Sequence, residues 1–159
     1  MAKSSKKSFK ESVADYAALS ERIGRRQFAP VYLLMGEEPY FIDMLAERLG
    51  ETILSPEERA FDQTVVYGRD TEAGAIVNFC RQMPMMGAFQ VVIVREAQTL
   101  RRIDQLSLYT SAPSPTTILV LCHKEKGLDK RSQLYKQIEA KGAVFESVAR
   151  RLARRFRPQ

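Results

Sequence analysis

The sequence predicts an α/β domain built on a mainly parallel five-stranded sheet flanked by helices. Three observations carry that expectation. Short apolar runs alternate along the chain with stretches whose apolar residues recur at helical spacing. The runs are continuously apolar, as in strands covered on both faces, where a half-exposed strand would alternate. Glycine or proline punctuates most of the junctions between them.

Taken in order, residues 1–9 are polar and basic and read as a disordered N-terminal tail. Val13, Tyr16, Leu19 and Ile23 then mark a first helix ending near Gly24. After Pro30 the run Val31–Met35 is a strand closed by Gly36, and Phe41, Met44, Leu45 and Leu49 give a second helix ending at Gly50. Thr64–Tyr67 is a β-branched strand, Thr71–Arg81 a helix and Val91–Val94 a strand. Leu100–Tyr109 reads as a helix broken by Pro113 and Pro115, Thr117–Cys122 as a strand, and Asp129–Ala140 as a helix with Leu134 and Ile138 on one face. Gly142 precedes a last strand at Val144-Phe145. Alternation of this kind places helices on both faces of the sheet. The domain spans residues 10–147, and residues 148–159 form a basic C-terminal tail.

Composition limits the function classes. A chain of 159 residues, 45% hydrophobic, suffices for one core. Its longest apolar runs, such as Ile118–Cys122, fall far short of the roughly twenty residues that cross a bilayer. Neither a membrane span nor a secretory signal is expected, and Cys80 and Cys122 are too isolated for a metal or disulfide framework, so a cytoplasmic location fits. The net charge of +6 resides in the tails. Residues 1–10 hold four lysines and residues 150–159 five arginines without an acid, which leaves 16 basic against 19 acidic residues between them. The folded part is therefore not a nucleic-acid surface by charge.

In an open parallel sheet the turn after the first strand is the usual phosphate site. Here it is Gly36-Glu37-Glu38-Pro39-Tyr40. A working phosphate loop needs several small residues, a Lys for the outer phosphates and a Ser or Thr for magnesium, and all are missing. Glu37 and Glu38 put carboxylates where an anion belongs, unless they serve only the dipole of the following helix. Pro39 removes a donor N–H. The Val91–Val94 strand ends in Arg95-Glu96, where phosphate-loop ATPases place a magnesium-organising acid. His123, the single histidine, has no partner nucleophile or carboxylate near it in sequence and reads as a strand-end residue. No catalytic, cofactor-binding or metal-binding residue is expected.

A different surface is suggested by Met83-Pro84-Met85-Met86, bulky residues in a helix-to-strand connection where polar residues are the default. Exposed, they form an adaptable apolar patch suited to a partner groove; buried, they cap the core at one end of the sheet. Phe89 fits either role.

The strings Val31–Asp43, Met83–Ala97, Pro113–Val120 and Leu128–Arg131, in register over about residues 28–147, resemble the delta-subunit family of bacterial DNA polymerase III. That resemblance implies an AAA+-like (P-loop NTPase-related) domain of a clamp loader, active in DNA replication, that has lost nucleotide binding. It also implies a partner, the beta sliding clamp, contacted by a plug matching Met83, Met85 and Met86, with ring opening favoured while sister subunits consume ATP. The family often carries Leu-Phe where this chain has Met85-Met86. Gamma/tau and delta prime subunits would be met through lid and collar domains, which residues 148–159 would begin, and primer-template DNA within the full complex. The chain would then be a non-catalytic subunit of the polymerase III holoenzyme, with no cofactor. Two other readings are an active phosphate-loop nucleotide-binding enzyme and a basic nucleic-acid-binding module resting on the tails.

Overall fold

The computed structural model describes residues 7–150 and contains the expected five strands. The elements are α1 (Phe9–Gly24), β1 (Val31–Gly36), α2 (Pro39–Ile53), α3 (Pro56–Asp62), β2 (Gln63–Tyr67), α4 (Ala73–Cys80), β3 (Gln90–Arg95), α5 (Ser107–Thr110), β4 (Thr117–Lys124), α6 (Gln133–Lys141) and β5 (Ala143–Ser147). Strand order is β2-β3-β4-β1-β5, and every neighbouring pair is parallel. Parallel neighbours cannot be joined by tight hairpins, so each connection carries helix or turn across a face of the sheet.

Side-chain alternation divides the core into two layers. Val31, Leu33 and Met35 of β1, with Val92, Val94, Leu119 and Leu121, pack beneath α4, α5 and α6. Tyr32 and Leu34, with Val91, Ile93, Ile118, Val120 and Phe145, pack beneath α1 and α2. The central strands β1, β3 and β4 are buried nearly throughout, which explains their continuous apolar sequence. An aromatic cluster ties α1 to this second layer: the Phe41 ring lies 5.0 Å from Tyr16, 5.9 Å from Phe9 and 6.4 Å from Phe145.

Four details correct the sequence expectations. Residues 7–9 do not belong to a tail: Ser8 caps α1 in a capping box with Glu11, and the Lys7 ammonium donates to the Glu146 carbonyl. At the other end, Val148 N–H donates to Ser12 Oγ and Ala149 N–H to Glu37, so residues 148 and 149 also lie on the domain. Arg150 follows, its guanidinium 5.8 Å from the Phe9 ring centroid, and the remainder of both expected tails, residues 1–6 and 151–159, lies outside the described residues. The continuous helix expected over 100–109 is instead a 3-10 turn, Ile103–Leu106, followed by the single turn α5. Arg102 adopts a left-handed conformation that turns the chain, so that Leu100, Leu106 and Tyr109 all reach one core layer. Finally, the structure adds α3, a helix absent from the sequence expectations, although Ser55-Pro56-Glu57-Glu58 carries its capping box and its N-terminal proline.

Candidate functional site

The two surfaces singled out by sequence lie at opposite ends of the sheet. The turn Gly36–Tyr40 leaves the C-terminal end of β1, whereas Met83–Met86 leads into the N-terminal end of β3.

At the C-terminal end, the backbone donors that a phosphate would need are already engaged. Glu37 N–H donates to the Ser147 carbonyl at 3.1 Å, and Glu38 N–H to Ser147 Oγ at 2.9 Å. Tyr40 N–H donates at 3.1 Å to the carboxylate of Glu38, which is the N-cap of α2, and Pro39 has no N–H to offer. Glu37 and Glu38 thus precede the first turn of α2, with Glu38 acting by direct capping. Gly36 has φ +125°, and a Cβ there would collide with the backbone and hydroxyl of Ser147, so the turn is closed against β5.

Beside this turn, the strand-end charges neutralise one another. Lys124 Nζ lies 2.9 Å from Asp43 and 3.2 Å from Glu96, and Arg95 lies 3.7 Å from Asp43. Burial pulls the Lys124 ammonium down, but the hydrogen bonds it donates to the Asp43 and Glu96 carboxylates raise it above its ordinary value. Burial likewise pushes Glu96 up, while Gln98 and Lys124 hold it below the usual carboxylate range. The cluster offers neither a free cation for phosphates nor a free acid for magnesium. His123 is buried, its Nδ1 is 2.6 Å from the Lys126 carbonyl, and burial lowers its pKa. Among the described residues no three His, Cys, Asp or Glu side chains gather at metal-binding separation.

At the N-terminal end, Met83, Met85 and Met86 are 68%, 77% and 54% exposed, while Pro84 is half-buried. Of the two sequence alternatives, exposed patch or core cap, the side chains take the first. Phe89 takes the second: it packs on the core layer edge-to-face with Phe28, ring centroids 6.0 Å apart. The loop is exposed yet firmly tied. Met85, Met86 and Gly87 each donate a backbone N–H to the buried Asp62 carboxylate, at 2.6, 2.8 and 2.6 Å. Gly87 sits so close to Leu54 and Glu58 that a Cβ would meet them at 3.0 and 3.1 Å. Thr117 Oγ1 donates to the Cys80 carbonyl at 2.6 Å, fixing where the loop leaves α4.

Comparison with known proteins assigns the fold and the family. The family model for the DNA polymerase III delta subunit matches residues 32–148. The chain belongs to this family. The curated DNA polymerase III subunit delta of Bacillus subtilis (strain 168) is 25% identical over 128 residues, 74% of this chain and 37% of the relative. A solved Bacillus subtilis DNA clamp loader delta protein superposes with a TM-score of 0.73 at 23% identity, covering 84% of this chain and 42% of that one. A DNA polymerase III gamma subunit-related protein from Thermotoga maritima gives 0.55 at 16% identity, covering 89% and 47%. The chain therefore shares the parallel α/β fold of these two solved structures, and it spans less than half the length of each of these relatives.

Within this delta-family chain, two residues at the methionine loop escaped the sequence reading. Asp62, at the end of α3, is buried, and no motif in the sequence marks it. Phe61, 56% exposed beside it in sequence, extends the apolar character of the same end of the domain. The one available signal was the capping box that starts α3.

Proposed function

We propose that this chain is the clamp-binding domain of a clamp-loader delta subunit, acting in DNA replication. It docks Met83–Met86 into an apolar pocket of the beta sliding clamp and favours the opened ring, without itself binding or hydrolysing ATP. The observation that carries this reading is the exposure of three methionines on a loop whose backbone is tied down. Large apolar side chains held in water contribute nothing to folding, but each can contribute about 1.5–3 kcal/mol when a partner buries it. Methionine adapts its shape to such a pocket, so Met85-Met86 can stand where the family often has Leu-Phe. The engaged N–H groups of the Gly36–Tyr40 turn and the paired charges beside it support a non-catalytic role. Gamma/tau and delta prime subunits and primer-template DNA are then partners in the full loader.

Co-elution of the chain with the sliding clamp of its own organism tests the proposal. Wild type should shift to the complex, and Met85→Ala/Met86→Ala should lose about 100-fold in affinity, roughly 3 kcal/mol. Equal behaviour of the two proteins would remove the methionines from the interface.

A further inference from the structure

The methionine loop combines two properties that seldom occur together. Its side chains project into solvent, so no core packing fixes them, yet three successive backbone N–H groups converge on one carboxylate. That carboxylate belongs to Asp62, which is fully buried and lies where α3 passes into β2. Two features connect the loop to α3 and the residues just before it: these hydrogen bonds, and the tight seat of Gly87 against Glu58 of α3 and Leu54 at the end of α2.

We infer that Asp62 is a positioning residue for partner docking, a clasp that holds the Met85–Gly87 backbone in its binding conformation before the partner arrives. The inference rests on the docking reading above. A buried carboxylate is costly unless its charge is met, and here the N–H dipoles of the loop meet it. Burial drives the Asp62 carboxyl up, and the Gly87, Met85 and Met86 N–H groups together hold it below its ordinary value, so it is ionised at neutral pH. The chemistry is specific to a carboxylate. Asparagine has the same shape but one acceptor oxygen, and its NH2 would face N–H groups that can only donate. A loop released in this way samples several conformations, and apparent affinity falls in proportion to the fraction still competent to bind.

Preorganisation leaves a kinetic signature distinct from lost contact area. The clasp acts before encounter, so Asp62→Asn should slow association with the clamp about tenfold or more and change dissociation little. Met85→Ala/Met86→Ala removes contacts made in the complex and should mainly speed dissociation. Both are measured by surface-based kinetics on the whole chain, with circular dichroism melting to verify that each variant is folded. A folded Asp62→Asn that associates at the wild-type rate, while the double methionine variant fails to bind, overturns the clasp and leaves the docking reading intact. A double methionine variant that binds like wild type overturns both. If Asp62→Asn does not fold, amide hydrogen exchange of the wild-type chain decides. Protection of Met85, Met86 and Gly87 supports the clasp, and exchange at the rate of an open peptide overturns it.

Discussion

Gly36 shows how one residue can close a site. Its φ of +125° suits glycine alone, and Ser147 occupies the space a side chain would need. Gly36→Ala should therefore cost about 3 kcal/mol or more, read as a lowered urea midpoint, because backbone strain and collision with β5 add together. From the sequence, Glu37, Glu38 and Pro39 were legible as wrong for phosphate. Ser147 was not, because it lies 109 residues from Glu38 and only the β1–β5 register brings it to the turn. The methionines were legible as unusual but not as exposed, since composition cannot distinguish a core cap from a surface patch. Asp62 was invisible for a similar reason: its three partners lie 23 to 25 residues further along the chain.

Among the elements, α3 carries both the buried Asp62 that ties the methionine loop and the exposed Phe61 beside it. Seven residues with Phe61 exposed offer no apolar stripe, so periodicity could not reveal it, whereas the strands and the long helices α1 and α2 were read to within a few residues. The 100–109 segment failed in the opposite sense, because apolar residues at nearly helical spacing hid the left-handed turn at Arg102. Because Phe61 is exposed, Phe61→Ala should leave the melting temperature nearly unchanged, with an effect within about 0.5 kcal/mol. If the docking surface extends from the methionines onto α3, the same variant should weaken clamp binding several-fold in a titration. A Phe61→Ala protein that binds as tightly as wild type would confine the surface to the loop.

For the molecule as a whole, parallel order and two-sided burial were legible from the pattern of runs, while strand order and the end of the sheet that carries the exposed apolar loop were not. Ligands of open parallel sheets usually gather at the C-terminal strand ends. Here that end is filled by Ser147 and by the Asp43, Glu96, Arg95 and Lys124 charges, and the exposed apolar loop lies at the other. One buried group still makes global stability depend on pH. The folded pKa of His123 lies below its ordinary 6.5, so the unfolded chain takes up the proton first. Its contribution is complete above about pH 6.5 and is lost as pH falls through the folded value. Denaturant titrations should show stability declining below that pH, and His123→Asn should flatten the decline. The central claim, that the working surface has passed from the phosphate turn to the methionine loop, is tested most directly by amide chemical shifts of the labelled chain titrated with the sliding clamp and, separately, with ATP and magnesium. Clamp-induced changes should centre on Met83–Gly87, with no nucleotide-induced change at Gly36–Tyr40. Saturable nucleotide shifts at that turn, or clamp shifts that spare the methionines, would contradict that claim.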